Sequence, residues 1–325
     1  MKQNAVAPTL AEVSALCLGT LNFGVTLEPD ACHAMLDLFT SRGGNFIDTA
    51  HVYSNWLVGE TSRSEKILGS WLERRDRESV IVATKGGHFD FAAPRISRVT
   101  PAEIEKDIRE SLRYLRTGYI DLYFLHRDNE ALPVGVIMDC LNAQIDAGTI
   151  RHIGCSNWQP HRLEQAQEYA EQNGLRPFVC NQLMWSMAKI NADKIPADYA
   201  YMNRAFYRYH QAHALPAMCY TAQAKGYFAR RQAGEYLPES VTEVYENSRN
   251  EQLYAQLLRT SAQTGKSLTQ LALQYFSAQP FPAFPIVSCD TQEQLLECMD
   301  AFMDGVSMDG VVSLEEEYDH GTGAL

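Results

Sequence analysis

The sequence predicts a (β/α)8 TIM barrel, a single α/β domain with extended loops. Eight short β-branched or aromatic runs alternate with longer amphipathic helical stretches. The strand runs are apolar on both faces, as a parallel sheet covered by helices requires. A doubly wound sheet could use the same alternation, but it normally binds a dinucleotide through Gly-x-Gly-x-x-Gly after its first strand. The only Gly-x-Gly is Gly321-Thr322-Gly323, too near the C-terminus for a helix to follow. The barrel is the reading that remains.

The strands are expected, in order, at Ala15–Leu18, Asn45–Asp48, Val80–Thr84, Ile120–Leu125, Ile150–Cys155, Phe178–Asn181, Ala217–Tyr220 and Phe284–Val287. Helices are expected at Pro29–Arg42, Ser64–Arg75, Pro101–Arg116, Val134–Ala147, His161–Gln172 and Leu268–Ser277. Thr100-Pro101-Ala102-Glu103 is a start signal, with an N-cap, a proline at the first helical position and a capping-box glutamate. A longer insertion lies between about Ser186 and Leu215, and a further helix around Asn247–Thr264. The barrel core spans about residues 15–300 of one domain covering 1–325, with a tail over about 301–325.

Composition narrows the function classes. Lysine plus arginine number 28 against 40 aspartate plus glutamate, a formal net charge of −12. Such a chain repels phosphate backbones and anionic lipid surfaces, which argues against nucleic-acid and membrane partners. The eight cysteines show neither a Cys-x-x-Cys nor zinc-ligand spacing and lie mostly in apolar runs, as expected of buried thiols in a reducing compartment. No apolar signal segment follows Met1, so the expected location is the cytoplasm. The uncharged run from Ser267 to Cys289 is long enough to span a bilayer, but it contains four glutamine or threonine residues and Pro280, Pro282 and Pro285. A buried helix, a turn and a strand explain it better.

In this fold the chemistry sits where strands end. Those ends carry Gly19-Thr20, Asp48 through Tyr53, Lys85, His126, Ser156-Asn157, Asn181-Gln182, Tyr220 and Ser288-Cys289-Asp290. A salt bridge between Asp48 and Lys85 with no chemical role is one account of the two charges. A second account joins four side chains. Tyrosine has a pKa near 10, and a neighbouring ammonium lowers it. Tyr53 as general acid, Lys85 as its tuner, Asp48 as anchor for Lys85 and His126 as orienter of a substrate oxygen form a carbonyl-reducing site.

The strings that carry these residues make the chain similar to the aldo-keto reductases. Gly44 through Tyr53 resembles the family's aspartate-to-tyrosine signature, Ala83-Thr84-Lys85 its lysine motif and Ile120 through His126 its histidine motif. Gly154 through Asn157, Asn181-Gln182 and Gln292 through Leu295 also fit. The resemblance implies an NADPH-dependent oxidoreductase, with NADH as the alternative, acting on a small carbonyl or alcohol substrate. It implies that Ser156, Asn157 and Gln182 bond the carboxamide and that Tyr220 stacks on the nicotinamide. It places Gly19, Thr20 and Asp48 beside the cofactor, and Ser288, Gln294, Glu297 and Cys298 at its adenosine end. Two departures stand out. Ser288, Cys289 and Gln294 lie where NADPH-preferring relatives often carry lysine or arginine, and Cys298 replaces an asparagine. After the seventh strand the chain reads Tyr220-Thr221-Ala222-Gln223 instead of the usual Tyr-Ser-Pro-Leu.

Asn22, Trp56, His88, Phe89, Arg127 and Trp158 are the candidate substrate residues, being polar or aromatic groups at strand ends or in adjoining loops. Ordinary packing explains any single aromatic among them. With Asp128 and Asn129, the polar ones would suit a sugar or polyol. Two other functions are expected to fare worse. A metal-dependent barrel hydrolase would use His51 and His126, but the first strand lacks a His-x-His and no metal ligand set is expected. A cofactor-sensing binding subunit would not need all four catalytic side chains.

Overall fold

The computed structural model describes residues 1–10 and 12–303. Gly321-Thr322-Gly323 and nearly all of the expected tail lie outside the described residues. A short hairpin, β1 (Gln3–Asn4) and β2 (Val13–Ser14), precedes the barrel and was not expected from the sequence. Eight parallel strands then close on themselves: β3 (Cys17–Gly19), β4 (Phe46–Asp48), β5 (Ile81–Gly86), β6 (Ile120–Leu125), β7 (Ile150–Ser156), β8 (Asn181–Met184), β9 (Ala217–Tyr220) and β10 (Ala283–Val287). The helices are α1 (Pro29–Ser41), α2 (Arg63–Leu72), α3 (Pro101–Tyr114), α4 (Val134–Asp146), α5 (Pro160–Asn173) and α6 (Arg204–His213). They continue with α7 (Tyr227–Gln232), α8 (Glu239–Tyr245), α9 (Ser248–Thr264), α10 (Leu268–Ser277) and α11 (Gln292–Asp300).

Two cores follow from the alternation of side chains along a strand. Cys17, Phe46, Ala83, Leu122, Phe124, Cys180, Met218 and Phe284 point inward and form one cluster with Val6, Ala7, Leu10 and Val13 of the N-terminal hairpin. The hairpin therefore plugs the end of the barrel where the strands begin. Residues of the opposite parity, such as Ile47, Val82, Tyr123 and Cys155, join the larger core between strands and helices. All eight cysteines are buried thiols without a disulfide. No helix among the described residues is long and apolar enough to cross a membrane.

Helix ends follow the sequence signals in part. Thr100 caps α3 by accepting from the Glu103 N–H, but Glu103 turns to Arg98 and does not close the box. The complete capping box lies at α10, between Ser267 and Gln270. The sixth barrel strand begins at Asn181, where the sequence suggested it would end. Phe178 instead packs edge-on against buried Trp158 at 5.2 Å, outside the sheet.

Candidate active site

Strand parity selects the residues at the barrel mouth. Stepping by two from the inward-facing core positions leads from Phe46 to Asp48, Ala83 to Lys85, Phe124 to His126, Cys180 to Gln182 and Met218 to Tyr220. The same step joins Phe284, Ile286 and Ser288, and links Cys17 to Gly19. Asp48, His126, Gln182, Tyr220, Ser288 and Gly19 line one cavity of about 590 Å³, with Tyr53 and Ser156.

Lys85 is the hub. Its ammonium donates to Asp48 Oδ2 at 2.6 Å, to the Thr49 carbonyl at 2.8 Å and to the Tyr53 hydroxyl oxygen at 3.1 Å. A lysine has three protons to give, so its donors are all used. Because Tyr53 accepts from Lys85, its own hydroxyl proton is free to point into the cavity. Gln182 Nε2 donates to the other Asp48 oxygen at 2.9 Å, so both carboxylate oxygens are held. The pair is buried, with side chains 1% and 2% exposed. Removing one partner would leave an uncompensated buried charge.

Burial decides the proton affinities here. The Tyr53 phenol is pushed above its ordinary value, because desolvation outweighs the opposing pull of Lys85. This corrects the expectation that the ammonium would lower it. Desolvation also opposes the charge on Lys85, yet the neighbouring Asp48 and Tyr53 hold its amine above the usual value. His126 lies well below the usual imidazole range through burial and the nearby Lys85, so its ring is neutral. Its Nδ1 is buried without a hydrogen-bond partner. The ring meets Tyr53 edge-on at 6.2 Å and His88 at 4.8 Å. Burial brings His88 down to about 4.

The expected cofactor residues divide into two groups. Gly19 lines the cavity, and a Cβ there would meet Ile286 Cγ2 at 2.8 Å and Ser288 Oγ at 2.9 Å. Asn157 lines it too, at a φ of +61°. Its amide is committed, however: Oδ1 accepts from the Tyr220 hydroxyl at 2.7 Å and the Ala200 N–H at 3.0 Å, while Nδ2 donates to the His126 carbonyl and Ser156 Oγ. Asn157 thus aligns Tyr220 rather than presenting free donors. Thr20 is fully buried, bonded to Ser64 and the Asp48 carbonyl, and does not reach the cavity. Gln294, Glu297 and Cys298 also lie off it. Gln294 accepts from the Asp290 N–H, and buried Cys298 accepts from Gln223.

The substrate candidates divide as well. Trp56, His88 and Arg127 line the mouth. Trp158 does not; it is fully buried and donates its indole N–H to the Arg127 carbonyl. Phe89 lies behind His88, with ring centres 4.1 Å apart. Asn22 is turned to Asp290. Asp128 is held by Arg162 through two bonds, and Asn129 donates to the Val99 carbonyl, so neither offers hydroxyl recognition at the mouth.

Several lining residues escaped the sequence reading. Phe91 meets Trp56 edge-on at 6.4 Å, and Arg127 lies over the Tyr199 ring at 4.8 Å beside Asp198. Lys194, Ile195, Glu243 and Val244 roof the cavity. Asn191 fastens that roof, donating from its side chain to the Glu243 and Glu246 carbonyls at 2.7 and 3.0 Å. The expected insertion between about Ser186 and Leu215 was the available signal for Lys194, Ile195 and Tyr199. His51 faces away from the cavity, its Nε2–H donating to the Glu110 carboxylate at 3.0 Å, with Asp107 beside it. The barrel-hydrolase reading therefore lacks His51 at the mouth.

A closed parallel barrel that gathers its polar side chains at the strand ends is the arrangement of a (β/α)8 barrel enzyme. The chain belongs to the aldo/keto reductase family, whose model matches residues 15–315. It is an NAD(P)H-dependent oxidoreductase. Norsolorinic acid reductase B of Aspergillus parasiticus is 28% identical over 96% of this chain and 82% of that protein. The NADP(+) aryl-alcohol dehydrogenase of Phanerodontia chrysosporium is 31% identical over 57% of this chain and 51% of its own. A solved thermostable aldo-keto reductase, crystallised with the inhibitor epalrestat, shares the fold at a TM-score of 0.69. Its identity is 20%, covering 95% of this chain and 97% of that one.

Proposed function

We propose that this enzyme reduces aryl aldehydes or ketones, with Tyr53 as the proton donor. The observation that carries the chemistry is the saturated Lys85 ammonium, which accounts for its own three protons and leaves the Tyr53 proton for a substrate oxygen. Neutral His126 offers that oxygen a second hydrogen bond without competing for the proton. When bound, the nicotinamide supplies the hydride that reduces the carbonyl carbon. Ser156, Gln182 and the flat face of Tyr220 fit its ring, and Gly19 leaves the groove floor open.

The aryl reading has two supports. Trp56, His88 and Phe91 make an aromatic wall, and planar substrates gain from offset or edge contacts with such rings. The relative named an aryl-alcohol dehydrogenase acts, by its name, on aryl alcohols. The sugar or polyol expectation loses support with Asp128 and Asn129, which are tied into the structure. A kinetic panel of benzaldehydes, naphthaldehydes, glyceraldehyde and xylose tests it. Aryl aldehydes should lead the sugars by at least about tenfold in kcat/KM, within the range that pocket contacts can discriminate. Equal or higher values for xylose would defeat the substrate assignment.

A further inference from the structure

We propose that the dinucleotide groove is built for an unphosphorylated adenosine ribose, favouring NADH over the NADPH that the family resemblance implies, and that Asp290 sets this choice. The proposal rests on reading the cavity as a nicotinamide dinucleotide site. That cavity runs from Tyr53 and His126 past Gly19 to Ile286 and Ser288 at the end of β10. The next turn carries Asp290 into α11.

Asp290 is exposed, yet its carboxylate is oriented. Asn22 Nδ2 and Thr26 Oγ1, both from the loop after β3, donate to the same oxygen, Oδ1, each at 2.8 Å. Both donors are neutral groups, so neither brings a countercharge to the carboxylate. A ribose 2′-hydroxyl is a donor that such a carboxylate accepts, the arrangement other dinucleotide folds use to select NAD. A 2′-phosphate carries about −1.5 to −2 charges near neutral pH and would be repelled.

The surroundings reinforce the choice. Residues 288–303 include Asp290, Glu293, Glu297 and Asp300 but no lysine or arginine. None of these four acids forms an ion pair with lysine or arginine among the described residues. A helix start usually offers free N–H groups to a phosphate. Here the chain's own oxygens take part of that supply: Thr291 Oγ1 accepts from the Gln294 N–H at 3.3 Å, and in the preceding turn Gln294 Oε1 accepts from the Asp290 N–H at 2.8 Å. The Glu293 carboxylate accepts from its own N–H and from the Thr291 hydroxyl, which holds it below its ordinary value. The cavity's Lys194 and Lys225 come from the segments after β8 and β9. Neither belongs to the turn between β10 and α11.

Dissociation constants of NADH and NADPH, read by quenching of tryptophan fluorescence in the full-length protein, test this directly. The wild type should bind NADH at least about tenfold more tightly, equivalent to about 1.4 kcal/mol. Asp290→Asn should narrow the gap, and Asp290→Arg should invert it by supplying a phosphate partner. Circular dichroism checks that both variants fold. NADPH binding as tight as NADH in the wild type would overturn the preference. An unchanged ratio in Asp290→Arg would overturn the role of Asp290. Binding of neither dinucleotide would instead remove the cavity reading beneath both.

Discussion

Tyr53 holds its proton because the barrel buries it, and Lys85 bonds the oxygen without abstracting that proton. Reduction needs the neutral phenol. With the phenol raised above 10 and His126 neutral, kcat/KM for reduction should stay flat from about pH 6 to pH 9 and fall only above the phenol's pKa. Alcohol oxidation, which needs the phenolate, should rise over the same interval. A descending limb for reduction centred near pH 7 or 8 would contradict the assignment. Tyr53→Phe should lower kcat/KM by about 10²–10⁴-fold, the usual value of a positioned acid, while dinucleotide affinity changes less than about twofold. Retained turnover in that variant would move the proton donor elsewhere. Asn157 shows a different kind of residue: its left-handed backbone and committed amide position Tyr220 and the segment at Ala200.

Among elements, the approach of one helix to the next sets how closely the barrel can be covered. α2 packs against the end of α3 at Gly69, where a Cβ would lie 2.0 Å from the Tyr114 carbonyl oxygen and 2.9 Å from the Leu115 backbone. Because the obstacle is backbone, Gly69→Ala must push one helix away from the other. The expected loss is about 2–3 kcal/mol, at the upper end of ordinary overpacking, visible as a lower urea midpoint. A loss below about 0.5 kcal/mol would mean that the helices separate at little cost, contrary to the packing seen. Loops matter differently. The turn after β9 holds Thr221, Ala224 and Lys225 at φ values of +54°, +50° and +55°, beside the cavity that Thr221 and Lys225 line. Such backbone strain is sustained only by the contacts around it.

For the whole molecule, buried neutral imidazoles couple stability to acid. His210 has no exposed surface; Nδ1 donates to the Leu215 carbonyl at 2.7 Å and Nε2 accepts from Asn181 at 3.2 Å. Burial lowers its pKa to about 4. An unfolded imidazole near 6.5 takes up its proton first, so the stability from the neutral ring is complete above pH 6.5 and declines as pH falls toward 4. The loss reaches about 3 kcal/mol for this group at the lower limit. His88 and His126 act in the same direction. Urea midpoints should therefore fall between pH 6.5 and 4.5, with a shallower slope in His210→Gln. Equal midpoints at pH 7 and 4.5 would refute the coupling.

The sequence by itself determined the barrel and the four catalytic candidates. Periodicity is a local property, and strand ends follow from it, so Asp48, Lys85 and His126 could be placed before any contact was known. Tyr53, in the loop beyond the second strand, came from the chemistry it shares with them. The direction of its pKa did not follow, because that depends on how much protein surrounds the phenol. Nor could periodicity separate Trp56, at the mouth, from Trp158, which is sealed under Phe178. Thr20 likewise occupies a strand end but is spent on Ser64. Only the tertiary structure decided the roof over the cavity and the orientation of Asp290. Its partner Asn22 is 268 residues away along the chain, and closing the barrel brings the two within one hydrogen bond.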